Sequence, residues 1–452
     1  MSSQRSLLKS LFEAAVKAAS PSTFLEHFFP PPPKHGNIII LAAGRVAASM
    51  VAAAEHYYVD VLGMAPKRLL GLGVTLDASG PETHYVDIVP AGHPVPDIAG
   101  LAATEKVLLL AEGASAEDLV LVLLSGGASG FWVAPIEGIS LNEKREVLRS
   151  LLRSGAGIAS INVVRTHLSR IKGGRLAKLA FPAELVTLAM SDTPTGWERT
   201  IFGGGATLPD PTTLADARGI MARYGIKTTP TVAAALADEA NESPKPGDSI
   251  FQRSRFEEVF RPSDAFHAAM KVAEANGYKA VFLGDEITGE AREVAEGHAR
   301  VALAALHKGE KVALLSGGEL TVTIRGRGRG APNQEYALAL AIALNGASGI
   351  SALSAYTDGA DSRSGLPQEP AGAFIDGETL TRASRRGTNA VAALNDNDST
   401  SFFETLHDLL ITGPTHTNVN DFRAILVDPS YESDLWDRFQ LSWRRPQEDE
   451  DM

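Results

Sequence analysis

The sequence predicts an α/β protein of two domains, the first built on a mostly parallel sheet. Three observations carry this. The chain has 452 residues, more than one ordinary core accommodates. Short apolar runs alternate with amphipathic helical stretches, the pattern of strands joined by crossover helices. A loop-rich stretch from Ala240 to Asp264, with Asn241, Ser243, Pro244, Pro246, Gly247 and Asp248, divides the alternation into two blocks. The expected division is a domain at 1–240, a junction at 241–264, a second α/β domain at 265–430 and a tail at 431–452.

In chain order, Leu7, Leu8, Leu11, Phe12, Ala15 and Val16 form a helical stripe interrupted by Lys9, Glu13 and Lys17, so no apolar core of a signal peptide is present. That helix ends near Pro21, and Pro30 to Pro33 lead into a strand at Asn37 to Leu41. Gly44 turns the chain into an Ala-rich helix from Arg45 to Ala54. Further strands are expected at Leu119–Leu124 and Leu185–Met190, with helices at Ile98–Glu112, Leu141–Ser154 and Ile158–Thr166. The second block reads as helix Ala265–Asn276, strand Ala280–Leu283 and helix Glu290–His307. Strands Lys311–Leu315 and Leu320–Ile324, helix Gln334–Leu344, and strands Ser351–Ala355 and Arg423–Val427 follow. The acidic end, Gln447 to Met452, reads as disordered.

Composition narrows the function. The net charge is −12 and no long basic block occurs, which argues against nucleic acid or an anionic membrane as partner. Leu119 to Ile136 approaches a membrane span in length, but its serines, glycines and Pro135 read as a buried strand and a turn. The absence of cysteine excludes disulfides, thiolate zinc sites and a cysteine nucleophile, and fits a cytoplasmic setting. A homodimer is one assembly the chain could form.

Ligands of open α/β sheets bind beyond the carboxyl ends of strands, where turns expose amides. Ser125-Gly126-Gly127 ends one such strand and reads either as an anion cradle or as a tight turn without ligand. Ser316-Gly317-Gly318 follows a similar apolar run, which suggests similar strand-end geometry. Gly44-Arg45 is a second strand-to-helix turn, its cation aimed at a phosphate or at solvent. The turn around Pro94 and Pro96 brings His93 and Asp97 together, as a polar contact or a catalytic pair. Arg165, Arg170, Lys172 and Arg175 bracket Gly173-Gly174, suiting either a polyanionic substrate or a solvated basic face. In the second half, Gly326 to Gly330 with two arginines, Asn333-Gln334-Glu335, Thr357-Asp358-Gly359 with Asp361, and Gly413 to Asp421 could hold Mg²⁺ or be capped turns. No P-loop, no G-x-G-x-x-G after the first strand and no protein-kinase motif set occurs.

Together, AAGRVAASM (Ala42 to Met50), AGHPVPD (Ala91 to Asp97), LLSGGASG (Leu123 to Gly130), INVVRTHLSRIKGGRLA (Ile161 to Ala177) and TLPDPTT (Thr207 to Thr213) resemble glycerate 2-kinases that end in a MOFRL domain. LLSGGELTVTIRGRGRG (Leu314 to Gly330), NQEYALA (Asn333 to Ala339), TDGAD (Thr357 to Asp361), AGAFID (Ala371 to Asp376) and GPTHTNVND (Gly413 to Asp421) continue the match in the family's order. The resemblance implies a Rossmann-like first domain, a MOFRL second domain and a site in the cleft between them. It implies ATP- and Mg²⁺-dependent phosphorylation of D-glycerate, or a related small hydroxy acid, at its 2-hydroxyl. Arg45, Lys172 and Asp192 become candidate catalytic residues. Gly44, His93, Asp97, Ser125, Gly126, Gly127, Arg165, Asn333 and Asn418 become candidates for binding substrate or phosphate. Glu319, Asp358, Asp361 and Asp421 become candidates for metal or water positioning.

The chain departs from the pattern it resembles at turns. Arg45 stands for a lysine, Pro332 for an arginine, His416 for a glycine, and Phe202 to Thr207 for A-S-G-P-T. The acidic S-D-V-P-G-D-D stretch becomes Ser191 to Glu198, and Arg363 follows the T-D-G segment. Three activities therefore stay open: a glycerate kinase, an impaired homologue that still binds nucleotide or acid, and a hydroxypyruvate reductase.

Overall fold

The computed structural model describes residues 3–76, 80–93, 95–192, 203–362 and 368–430. Trp197, Glu198, Arg363 and the tail 431–452 lie outside them. Two compact units form. One holds residues 20–261 and 416–418; the other holds 1–19, 262–415 and 419 onward.

In the first unit, strands β1 (Ile38–Ala43), β2 (Leu69–Thr75), β3 (Asp87–Pro90), β4 (Leu119–Leu124), β5 (Glu184–Met190) and β6 (Ser254–Phe260) make one sheet in the order β3-β2-β1-β4-β5-β6. Every pairing is parallel. All residues of β1 and β4 are buried, as central strands covered on both faces must be. Their register, from Ile38 opposite Leu119 to Ala43 opposite Leu124, ends both strands level. This unit's helices are α2 (Pro21–Phe24), α3 (Ala47–Glu55), α4 (Ile98–Glu112), α5 (Ala128–Phe131), α6 (Leu141–Arg153), α7 (Ile158–His167), α8 (Arg175–Ala180), α9 (Leu214–Arg223) and α10 (Pro230–Ala237). Capping boxes start α6 (Ser140 with Glu143) and α9 (Thr213 with Asp216). Helices α6, α7, α9 and α10 share a small core of their own, including Val147, Leu151, Ile161, Val164, Leu214 and Val232.

In the second unit, β7 (Lys279–Glu290), β8 (Val312–Thr321), β9 (Ile350–Tyr356), β10 (Gly372–Ile375), β11 (Leu409–Leu410) and β12 (Asp421–Val427) form a mixed sheet, ordered β11-β10-β9-β12-β8-β7. Among the described residues, only β7 and β8 of this sheet pair in parallel. Its helices are α1 (Ser3–Ala18), α11 (Pro262–Ala275), α12 (Ala291–His307), α13 (Pro332–Leu344), α14 (Thr379–Arg385), α15 (Ala390–Asn395) and α16 (Ser399–Leu406).

Three expectations are corrected. The N-terminal helix belongs to the second unit, because its stripe of Leu8, Leu11, Phe12 and Ala15 is buried there, Phe12 edge-on to Phe422 at 5.7 Å. Residues 241–264 are not a bare junction, since Ser254–Phe260 supply the sixth strand of the first sheet. Ser316-Gly317-Gly318 is no strand end, because β8 continues to Thr321. Gly318, at φ +119, lets β7 pass so closely that a Cβ there would meet the Ile287 carbonyl oxygen at 2.1 Å. Among the described residues, no helix is long and apolar enough to cross a membrane.

Candidate active site

Strand order reverses direction between β1 and β4, and both strands end at the same level. A crevice at such a switch point is where open α/β sheets take ligands. The turns leaving the two strands are interlocked. Ser125 donates its N–H to Ala43 O (3.0 Å), and Arg45 donates its own to Gly126 O (2.9 Å). Val46 donates to Ser125 Oγ at 3.0 Å, which leaves the hydroxyl proton to be given elsewhere. Gly44, at φ +131, has no room for a side chain: a Cβ would lie 2.2 Å from Ser125 Oγ.

The same turn collects other candidates. A Cβ on Gly126 would lie 1.7 Å from Asp192 Oδ2, so the Asp192 carboxylate rests directly on that glycine. Gly127 (φ +81) leaves a Cβ only 3.0 Å from His93 Nε2, and the His93 ring stacks on Phe131 at 5.0 Å. Gly44, Arg45, His93, Ser125, Gly126, Gly127 and Asp192 thus share one neighbourhood. Asp97 has a different role. Its Oδ1 accepts from Gly100 N at 2.8 Å and caps α4.

Cations lie beneath the turn. Lys172 is 1% exposed and donates Nζ to Ser129 O at 2.7 Å, two residues beyond Gly127. Burial and then Arg165 push its ammonium down to about 7. Burial also lowers Arg165. Arg175, lowered to about 10 mainly by burial, donates to Thr166 O, Lys172 O and Asn241 O. Arg170 is paired with Glu105. Sequence reasoning missed Lys144, which is 3% exposed and donates to Leu168 O at 2.8 Å. Burial, Lys172 and the nearby arginines hold it well below the usual lysine range. The signal was there: Lys144 shares the buried stripe of α6 with Val147 and Leu151. Two buried lysines hydrogen-bonded to carbonyls rather than carboxylates make a cation-rich centre suited to an anion.

His416, where the family has glycine, sits at φ +59, and its carbonyl accepts from Ser49 Oγ on α3 at 2.7 Å. Asn418 is buried in the same unit. A side chain in the left-handed region is strained, so His416→Gly is expected to stabilise the protein by about 0.5–1 kcal/mol, read as a raised Tm. An unchanged or lower Tm would contradict this.

In the second unit Asn333, Asp358, Asp361 and Asp421 have structural work. Asp361 caps α13, one oxygen accepting from Asn333 N and Nδ2 (3.0 and 2.9 Å), the other from Gln334 N and Nε2 (2.9 and 3.1 Å). Burial raises its carboxyl to about 7 against those donors. Asp421 accepts from Asn333 Nδ2 (2.8 Å), Leu320 N (2.9 Å) and Arg423 (2.9 Å). Asn333, expected to bind substrate, spends its amide on both aspartates and on Ser354. Asp358 Oδ1 closes its own turn onto Ala360 N, and Glu319 is exposed on β8. Among the described residues, no group of three or more His, Asp or Glu side chains converges for a metal. The four carboxylates therefore do not fit a magnesium site as a set. Pro332 occupies the first turn of α13, where its missing N–H removes no intrahelical bond.

Residues 7–237 match the family described as "Domain of unknown function (DUF4147)", and residues 312–421 match the MOFRL family. The chain is 42% identical over 449 residues to a protein of Agrobacterium vitis named "Putative hydroxypyruvate reductase", covering 94% of this chain and 95% of that one. It is 36% identical over 345 residues to D-glycerate 2-kinase of Thermotoga maritima, covering 75% and 80% of the two chains. A crystal structure of glycerate kinase from Thermotoga maritima superposes with a TM-score of 0.83 at 34% identity, covering 94% of this chain and all of that one. The chain is a divergent member of the glycerate kinase family, a DUF4147 region followed by a MOFRL domain.

Proposed function

We propose that this protein transfers a phosphoryl group from ATP to the 2-hydroxyl of D-glycerate or a related small hydroxy acid, giving ADP and the 2-phosphate. The observation that carries the reading is the Ser125-Gly126-Gly127 turn at the switch point, with Lys172 tied to Ser129 beneath it. Phosphoryl transfer needs charge neutralised and groups positioned more than it needs covalent catalysis. Lys172 and Arg165 would neutralise the phosphates, Ser125 would donate its hydroxyl proton to a phosphate oxygen, and Arg45 would hold the substrate at the same turn. Asp192, which rests on Gly126, would take the proton released by the attacking hydroxyl.

A coupled assay of ADP formation over three- and four-carbon hydroxy acids tests the reading. Turnover is expected with D-glycerate or a close relative, and a flat response across the panel rejects it. Saturable ADP binding without turnover would instead favour an impaired homologue, which the exchange of lysine for Arg45 motivates. A reductase is favoured by the Agrobacterium relative's name and by a strand order shared with dinucleotide-binding folds. Against it, the turn after β1 reads Gly44-Arg45-Val46-Ala47 and lacks the glycine fingerprint. Loss of NAD(P)H absorbance with hydroxypyruvate would restore it.

A further inference from the structure

Beside the cationic centre lies a pocket of about 230 Å³, wholly within the first unit. One wall is a stripe of α7: Ala159, Asn162, Val163 and Thr166 recur at i, i+3, i+4 and i+7. The facing wall is Leu208, Pro209 and Pro211. Gly173 and Gly204 line the end nearest Lys172, and a Cβ on Gly204 would lie 2.6 Å from the Lys172 side chain. Arg165, next to Thr166 in sequence and one turn from Asn162, flanks the stripe.

Its polar groups are few and specific. The side chains of Asn162 and Thr166 are half-buried and line the pocket, and among the described residues neither makes a hydrogen bond. Asp210 also lines the pocket, but its oxygens are engaged by Thr212 (2.9 and 2.7 Å) and Ser243 (2.8 Å). A pocket with apolar walls, the Asn162 amide and the Thr166 hydroxyl, its other hydroxyl on Thr212 being spent on Asp210, suits a flat heteroaromatic ring with a hydrogen-bonding edge. A small hydroxy acid fits it poorly: such a ligand is polar all round, and its carboxylate would face that of Asp210.

We propose that this pocket seats the base of the nucleotide, with the phosphates running past Gly204 toward Lys172 and the Ser125-Gly127 turn. This rests on the kinase reading and adds where the nucleoside binds. Asn162 reads the edge of the base, Val163 and Pro209 hold its faces, and Arg165 lies on the path of the phosphates.

Equilibrium binding of ADP and of inorganic tripolyphosphate, which has no base, tests this on the full chain, beside D-glycerate turnover. The wild type is expected to hold ADP at least about tenfold tighter than tripolyphosphate. Val163→Trp, which fills the pocket, should weaken ADP by about tenfold or more and leave tripolyphosphate within about twofold. Asn162→Leu, a milder change, should weaken ADP by roughly three- to tenfold in the same selective way. If ADP binds the wild type no tighter than tripolyphosphate, or if both variants bind ADP as the wild type does, the base sits elsewhere and the proposal falls while turnover still supports a kinase. If the variants raise the KM for D-glycerate and spare ADP, the pocket belongs to the acid and the proposal is overturned. If the wild type neither binds ADP nor turns over any acid, the kinase reading fails and takes this one with it.

Discussion

Lys172→Met is expected to lower kcat/KM for ADP formation by roughly 10²- to 10³-fold while leaving the fold intact, because it removes the most deeply buried cation beside the Ser125-Gly126-Gly127 turn. The substitution keeps the volume of a side chain that is 1% exposed, so packing is largely preserved. Stability should hold or rise, since a buried lysine without a carboxylate partner costs free energy. Kinetics and a melting curve together separate the two effects. Lost activity with an unchanged or raised Tm supports a role in phosphate binding; full activity in the variant would remove Lys172 from the site.

The same lysine predicts opposite responses to pH. Its ammonium is held at about 7 in the native protein, against 10.5 for an ordinary lysine. Between those values the unfolded chain keeps a proton that the folded one has released. Stability therefore rises with pH through that window, and the cost of the buried charge is fully present below it. Affinity for a phosphate group moves the other way, falling as pH passes 7 and the cation is lost. Titrating ADP binding on either side of neutrality checks this, and an affinity independent of pH in the wild type would contradict it.

Asp361→Ala should cost about 2–4 kcal/mol of stability, the largest structural effect expected of any substitution among the four carboxylates Glu319, Asp358, Asp361 and Asp421. Four N–H groups from Asn333 and Gln334 lose their acceptors, at the buried start of α13. Because Asn333 also bonds Asp421 and Ser354, the damage should spread to β12 and β9. Asp361→Asn, which keeps an acceptor oxygen, should recover part of the loss. Denaturation without any divalent metal discriminates between roles: a metal ligand could be removed there without cost, whereas a cap could not. An unchanged midpoint would contradict the capping role and favour a metal ligand.

Much of the site could be read from local chemistry. Glycines after apolar runs marked the turns at Gly44 and Ser125-Gly126-Gly127, because only glycine admits such close backbone approach. The clustering of Arg165, Lys172 and Arg175 marked the cation-rich centre whose charges burial depresses, and both families of motif stood in order along the chain. Misreadings arose where one residue type serves two ends. An Asp or Asn near a turn looks alike whether it caps a helix, as Asp97 and Asp361 do, or faces a ligand; only the partners of its oxygens tell the two apart. Ser316-Gly317-Gly318 repeated a local pattern whose continuation as a strand was set by its pairing with β7 and β12.

By itself, then, the amino-acid order determined the element types, the family and the turns able to hold an anion, since periodicity, glycine and capping residues act over a few neighbours. Tertiary structure alone decided that α1 packs with the second unit, that residues 254–260 complete the first sheet, and that Lys144 joins Lys172 in a buried cluster. Those outcomes depend on burial and on contacts between residues far apart in the chain, where desolvation sets which charges are costly and which carboxylates are already satisfied.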